Sequence, residues 1–318
     1  MSETTFYILG AGAIGLSLAV HLVQSHQKVQ LVRTSNNSTA PQTVSVSLKG
    51  LQSSEVTTAQ VDVCSLNHIT APEGVLIVTA KTFANSAIAK HFIKQQSKAP
   101  IILMQNGIGV EKAFLEAGFE NVYRTVLYSG GEKIDHYAVE FKMVNSSPTG
   151  VIAGDAEKLN SVIKKISTPQ FPFHFESNIL ENIWKKSIAN AVFNTICPLL
   201  EIDNGIFARD ETALALANSV IAECVKVANA LDINLSHETV LKQVLTISKG
   251  SDGQLVSTLQ DIQNKRQTEI DSLNLEIAKI AENLDRNIDI SLTKALGDLI
   301  KIKSSFYEDK HLNLLSSS

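Results

Sequence analysis

Lys186, Asn190 and Asn194 recur at i, i+4 and i+8 within Trp184-Lys185-Lys186-Ser187-Ile188-Ala189-Asn190-Ala191-Val192-Phe193-Asn194. In a helix each four-residue step drifts by about 40°, so the three side chains form one polar stripe. Their neighbours are Trp184, Ile188, Ala189, Ala191, Val192 and Phe193. Burying a Lys and two Asn unpaired among such residues costs several kcal/mol, so the stripe must face water or a cleft. A solvated helix face would give the same spacing. Facing a cleft, the stripe is the main chemical signal of this half of the chain.

A second chemical signature lies at the start of the chain. The apolar run Phe6-Tyr7-Ile8-Leu9 leads into Gly10-Ala11-Gly12-Ala13-Ile14-Gly15, and a helical run from Leu16 to Leu22 follows. Strand, Gly-x-Gly-x-x-Gly and helix form the phosphate-binding turn of a dinucleotide fold. Gly10 permits the turn, Gly12 admits a pyrophosphate, and Gly15 lets helix and strand pack. The helix N-terminus then offers unpaired N–H groups and partial positive charge.

The elements that must hold these groups follow from the pattern. Lys28 to Arg33 reads as the second strand. An acid at its end would accept bonds from the ribose 2′-hydroxyl of NAD, whereas an Arg pairs with the 2′-phosphate of NADP. Here the strand runs into Arg33-Thr34-Ser35-Asn36 with no acid, which favours NADP(H) as cofactor. Thr43–Leu48, Val75–Ala80 and Ile101–Gln105 read as further strands, the last two apolar throughout as in a doubly covered sheet. Lys81 and Asn106 follow two of them, at the carboxyl edge where ligands bind in such sheets. Val122–Ser129, His136–Val144 and Gly150–Ala153 read as an antiparallel extension, with Gly130-Gly131 and Ser146-Ser147-Pro148 as turns. Asp155–Ile166 reads as a helix.

From about Glu176 onward the pattern is helical. Helices are expected at Ile179–Phe193, Glu211–Leu231, His237–Ser248 and Ser291–Tyr307, with a turn at Asn204-Gly205. One long helix is expected from Ser257 to about Leu284, opened by the capping box Ser257-Thr258-Leu259-Gln260. Its buried stripe would be Leu259, Ile262, Ile270, Leu273, Ile277, Ile280 and Leu284, with Glu269 at the edge and Arg266 inside it, in a buried ion pair or ligand contact. A capping role alone would account for Ser257. The tail from His311 to Ser318 is expected to be mobile.

Composition sets the frame. The chain has 318 residues, 44% of them hydrophobic and 19% charged, as in a globular protein of two domains. Its net charge of −4 points to no nucleic-acid partner or basic membrane patch. The N-terminus carries no basic segment ahead of its apolar run, so no signal peptide is expected, nor a membrane span. Cys64, Cys197 and Cys224 lie far apart, which suits reduced thiols in a cytoplasmic protein. The histidines form no His-x-x-x-His pair, so no metal site is expected.

Taken together, these residues resemble the ketopantoate reductase (2-dehydropantoate 2-reductase) family over nearly the whole chain. The resemblance rests on Gly10–Gly15, Arg33, Lys81 and Asn106-Gly107, then on Trp184-Lys185-Lys186 with Asn190 and Asn194. It continues through Ser257-x-x-Gln260-Asp261 and Arg266-x-Thr268-Glu269-Ile270-Asp271-x-x-Asn274. It implies NADPH-dependent reduction of ketopantoate to (R)-pantoate, on the way to pantothenate and coenzyme A. Lys186 then matches the general acid. Glu269 matches the acid that binds the substrate hydroxyl and stays close to the lysine and cofactor. Ser257, Asn190, Asn194 and Asn204 match substrate contacts. Gly10, Ala11, Gly12, Ala13, Ile14, Gly15 and Arg33 match the cofactor site. Lys81 and Asn106 match the junction of nicotinamide and substrate. Departures are Gln254, where the family often has Asn, the segment Thr195-Ile196-Cys197-Pro198 in place of an Asn-Pro pair, and poorly matching strands from Val122 to Val144.

The expected architecture is an α/β Rossmann-type domain at 1–175 and an all-α substrate domain at 176–318, with the active site in the cleft between them. The helical half is the candidate face for a homodimer. Two alternatives stay open: a reductase of another 2-keto acid or an opine-type imine, and a non-catalytic NADP-binding regulator on the same fold.

Overall fold

The computed structural model describes residues 4–34, 39–50, 55–284 and 287–314. Of the expectations above, Ser35, Asn36 and the last residues of the tail, 315–318, lie outside the described residues. The chain forms two compact units: Met1–Gln105 with Val110–Ile179, and Asn106–Gly109 with Leu180–Ser318.

The first unit is α/β. In order it carries β1 (Thr5–Leu9), α1 (Ala13–Gln24), β2 (Lys28–Arg33), β3 (Gln42–Gly50), β4 (Val56–Ser65), β5 (Gly74–Val78), α2 (Asn85–Lys94) and β6 (Ile101–Leu103). It continues through α3 (Lys112–Glu116), β7 (Val122–Thr125), β8 (Ser129–Asp135), β9 (Ala138–Met143), β10 (Ser147–Ala153), α4 (Ala156–Ile166) and β11 (Phe173–Phe175). The described strands form one sheet in the order β11-β10-β7-β6-β5-β1-β2-β4-β3-β9-β8. Strands β7, β6, β5, β1, β2 and β4 run parallel. Chain order reverses at β1, whose neighbours are β2 and β5, so β1 is the switch point of a doubly wound sheet.

The parallel strands are buried on both faces, which is why they read as unbroken apolar runs. Phe6, Ile8, Leu31, Ile77 and Ile102 join a core with Leu16, Leu18 and Leu22 of α1. The alternate residues Leu9, Val32, Leu76, Val78 and Leu103 join a second core with Ile88 and Phe92 of α2 and Phe114 of α3.

Two turn assignments in this unit are corrected. Gly130-Gly131 lies inside β8, and Ser147-Pro148 opens β10. Strand β4 has no counterpart among the expected strands: its outer half is exposed and threonine-rich, and it closes on β3 as an antiparallel ribbon.

His21 on α1 faces the core between Phe141, at 5.6 Å between ring centroids, and Phe171, at 6.0 Å. Its Nε2 is buried and has no hydrogen-bond partner among the described residues. Burial lowers its pKa from 6.5 to about 4. The native ring therefore stays neutral where the unfolded ring charges, so stability is lost as pH falls from 6.5 toward 4. A separation of that size corresponds to about 3 kcal/mol. His21→Leu should flatten the fall in Tm over that pH window, and parallel melting curves for the two proteins would disprove it.

The second unit is helical, with α5 (Ile179–Leu200), α6 (Ile206–Arg209), α7 (Glu211–Ala230), α8 (His237–Gly250), α9 (Ser257–Gln263), α10 (Asn274–Glu282) and α11 (Ser291–Leu314). Helix α7 is long and apolar enough to cross a membrane by length and composition alone, a test that core helices also pass; here it packs on α6, α8, α10 and α11.

The long helix expected at Ser257–Leu284 is three elements: α9, a short 3-10 turn at Ile270–Ser272, and α10. The break is a Schellman cap. Lys265 takes φ +55°, its N–H bonds the Ile262 carbonyl, and the Arg266 N–H bonds the Asp261 carbonyl at 2.8 Å. Arg266 consequently leaves the expected stripe. It is exposed, and its Nε donates to Asp261 Oδ1 at 3.1 Å. Val256, not Ser257, is the N-cap of α9, so the capping box does not form. The tail residues 311–314 continue α11.

Candidate active site

In the first unit, β1, β2 and β5 end level: Leu9 pairs with Val32 and with Val78. Gly10, Arg33 and Lys81 therefore leave the same carboxyl edge. The glycine turn is pinned there by backbone bonds from Gly10 N to the Val32 carbonyl, and from Thr79 N and Ala80 N to the Leu9 carbonyl. Thr79 Oγ1 adds a bond to the Gly10 carbonyl at 2.9 Å.

Each glycine has its own reason. Gly10 takes φ +131°, and a Cβ there would stand 2.4 Å from the Ala80 nitrogen. A Cβ on Gly15 would collide with the Gly10 carbonyl. At Gly12 a Cβ would meet nothing within 4 Å, so the space above the turn is open. Helix α1 starts there with no side-chain cap and no acid in its first turn. Open space over uncapped N–H groups fits a pyrophosphate. Arg33 is half-buried at the end of β2, with Nη1 at 2.9 Å from His136 Nε2.

A buried polar cluster, which no spacing in the sequence signals, shapes the ends of β5 and β6. Gln105 Nε2 donates to the Ala80 carbonyl and to Asn85 Oδ1, at 2.6 and 2.7 Å. Asn85 Nδ2 donates to Gln105 Oε1 and to the Val110 carbonyl, both at 2.9 Å. Arg124, 2% exposed, pairs with Glu111 and donates from Nη2 to the Gln105 carbonyl at 3.4 Å. The backbone next to Lys81 and the residue before Asn106 are thus fixed by side chains.

In the second unit, Lys186 and Asn190 are half-buried on α5, while Asn194 is 3% exposed. Asn194 Oδ1 accepts from Thr258 Oγ1 at 2.8 Å and from Ser257 Oγ at 3.5 Å. Asn194 and Ser257 are thus brought into contact, and Thr258 is a further partner that spacing alone does not reveal. Asn274, fully buried in α10, donates from Nδ2 to the Ala191 carbonyl at 3.2 Å. That bond ties α5, between Asn190 and Asn194, to the segment that carries Glu269.

Glu269 is half-buried, and its carbonyl accepts from Ser272 N and Ser272 Oγ. The Ser272 carbonyl in turn accepts from Ile108 N at 2.9 Å, so the short stretch Asn106–Gly109 is docked beside Glu269. Gly107 makes this docking fit: it takes φ +100°, and a Cβ would stand 2.4 Å from the Ser272 carbonyl oxygen. Gly107→Ala should therefore cost about 1–3 kcal/mol, the scale of a forced left-handed residue. Thermal melts read it, and an unshifted Tm would mean that the loop repacks freely.

Asn204 N donates to the Gln254 carbonyl, and the Asn204 carbonyl accepts from Ser248 Oγ. Asn204 Oδ1 is buried with no partner among the described residues. Gln254 contributes backbone here, so the departure from Asn at that position leaves this contact intact. Pro198 sits in α5 and cannot donate to the Asn194 carbonyl.

Among the described residues no cluster of His, Cys, Asp and Glu is arranged to hold a metal. The three cysteines are buried, and burial pushes Cys197 and Cys224 up to about 12, far from a nucleophilic thiolate.

Residues 6–150 match the family model described as Ketopantoate reductase PanE/ApbA, and residues 178–304 match Ketopantoate reductase PanE/ApbA C terminal. The 2-dehydropantoate 2-reductase of Pyrococcus abyssi is 27% identical over 308 residues, covering 94% of this chain and 97% of the relative. That of Listeria innocua is 23% identical over 287 residues, covering 88% and 91%. Among solved structures, D-mandelate dehydrogenase with NADH and anilino(oxo)acetate superposes with a TM-score of 0.81 at 21% identity, over 96% of this chain and 99% of that one. A dimeric ketopantoate reductase from Staphylococcus aureus superposes with a TM-score of 0.79 at 21% identity, over 95% and 99%.

Proposed function

The chain belongs to the ketopantoate reductase family, and from that premise we propose that it reduces 2-dehydropantoate to (R)-pantoate with NADPH, in the cytoplasm, as a step toward pantothenate and coenzyme A. The observation that carries the reading is the bracing of the second unit. Asn274 bonds the helix of Lys186, Asn190 and Asn194 to the segment of Glu269, which also seats the Asn106–Gly109 stretch through the Ile108 N–H. That bracing supports reading Lys186 as a proton donor, Glu269 as the substrate-binding acid and the amides as positioning groups of one site.

Bound NADPH would supply the hydride. The open turn at Gly12, the uncapped α1 and Arg33 would hold its phosphates. Lys186 Nζ would give a proton to the keto oxygen as that oxygen gains charge. Glu269 would bind the substrate hydroxyl, with Asn190, Asn194, Asn204 and Ser257 orienting the keto acid. Lys81 and Asn106 would flank the nicotinamide.

A second reading has its own support. The D-mandelate dehydrogenase likeness comes with NADH and a different keto-acid analogue, so the same frame could serve another 2-keto acid. We also place a homodimer contact on the helical unit, where Leu299, Ile302 and Phe306 are exposed on one face of α11, since one relative is described as dimeric.

The deciding experiment follows loss of nicotinamide absorbance with ketopantoate and with a panel of aromatic and branched 2-keto acids, each with NADPH and NADH. Turnover confined to another keto acid would move the substrate, and tight NADPH binding without turnover would favour a regulatory protein. Arg33→Ala should weaken NADPH about tenfold, the loss of one bond to a charged group, and should leave NADH nearly unchanged. Equal weakening of both would remove Arg33 from 2′-phosphate recognition.

A further inference from the structure

The hairpin of β8 and β9 crosses the mouth of the glycine turn. β8 pairs antiparallel with β9, Gly131 opposite Phe141 and Lys133 opposite Val139. Phe141 and Val139 are buried in the core shared with α1, so Gly131 and Lys133 project on that same side. A Cβ on Gly131 would stand 3.4 Å from the Ala13 Cβ, and Lys133 Nζ donates to the Ala11 carbonyl at 3.5 Å. Glu132, opposite Glu140, takes the other side. A glycine followed by a lysine two residues on therefore approaches the turn at Ala13 and Ala11, on either side of Gly12.

At the hairpin tip, His136 Nε2 stands 2.9 Å from Arg33 Nη1. A guanidinium only donates, so the histidine nitrogen is the acceptor in this contact. His136 is itself fixed by its backbone N–H, which donates to Asp135 Oδ1, and by an edge-on contact with the Tyr137 ring at 4.7 Å. One arm of the Arg33 fork is thus held by a group that carries no negative charge to compete with a phosphate.

We propose that this hairpin is a third wall of the dinucleotide site: Lys133 contacts the pyrophosphate, and His136 is a positioning residue that aims Arg33 at the 2′-phosphate. The proposal rests on the dinucleotide reading above and adds to it two residues and a selectivity device. Lys133 acts on any dinucleotide, because the pyrophosphate is common to all of them. His136 acts only where a 2′-phosphate is present.

The test is calorimetric titration of NADPH and NADH into the parent protein, Lys133→Ala, His136→Ala and His136→Gln, with circular dichroism as a check on folding. Lys133→Ala should weaken both nucleotides about tenfold, as for loss of one charge-assisted bond, with a shallower salt dependence. His136→Ala should reduce the preference for NADPH over NADH severalfold, and His136→Gln, whose side-chain oxygen can accept from Arg33, should restore it. A merely structural histidine would move both nucleotides together and would not be rescued. Unchanged affinities in Lys133→Ala overturn the first half, and an unchanged preference in His136→Ala overturns the second. A parent that binds neither nucleotide sinks the dinucleotide reading itself. A parent that binds NADH and NADPH equally removes the role given to His136.

Discussion

Lys186→Ala is expected to lower kcat by about 10²–10⁴-fold, the range for loss of a general acid, while NADPH binds as before. The reason is positional. Lys186 sits half-buried one turn from Asn190 on a helix whose other neighbours are apolar core, and Asn274 fixes that helix to the Glu269 segment. Lys186→Arg should not rescue the rate, since a guanidinium holds its proton far too tightly to donate near neutral pH. Stopped-flow measurement of hydride transfer with saturating keto acid separates the chemical step from product release. A rate within threefold or so of the parent would take Lys186 out of the mechanism and return it to the solvated-face reading.

Arg124→Ala is expected to destabilise the first unit by about 3–5 kcal/mol, the cost of stranding the partner of a buried ion pair. Arg124 is almost wholly enclosed, and its carboxylate partner Glu111 is mostly so. Burial pulls the guanidinium pKa down, and the Glu111 carboxylate beside it partly offsets that pull. Removing the cation leaves Glu111 desolvated and the Gln105 carbonyl without that donor. Urea titration measures the loss. The double change Arg124→Met with Glu111→Leu should recover most of it, because an apolar pair of similar volume removes both buried charges. If the single variant unfolds at the parent's midpoint, Glu111 is finding solvent or another cation.

Much of this architecture is legible in residue pattern alone. The strands of the parallel sheet stand out as apolar runs because both their faces are covered, and the expected bounds of the second strand, Lys28 to Arg33, are those of β2. Lys186, Asn190 and Asn194 are conspicuous because helical periodicity sets a polar stripe in apolar surroundings. What stays hidden has two physical causes. The first is helix termination without glycine. Lys265 closes α9 in a left-handed conformation, and His26, Gln96 and Asp232 adopt the same sign of φ just past α1, α2 and α7. Such residues carry no compositional mark, so α9 and α10 read as one helix, and periodicity puts Arg266 in a core that it never enters. The second is partnership at long range. Gln105 with Asn85, Glu111 with Arg124, and Asn194 with Thr258 are ordinary polar residues until the fold brings them together.

The stretch Asn106–Gly109 belongs to the helical unit although it interrupts the sheet unit in the chain. The polypeptide therefore passes between the units three times, after Gln105, after Gly109 and after Ile179. A gene cut near residue 180 would not yield two self-sufficient fragments. The amino-terminal piece would carry a Gly107 loop with nothing to seat it. The carboxy-terminal piece would expose a Ser272 carbonyl that has lost the Ile108 N–H. Only a mixture of the two would return that loop to its seat, so complementation should regenerate what neither fragment shows alone.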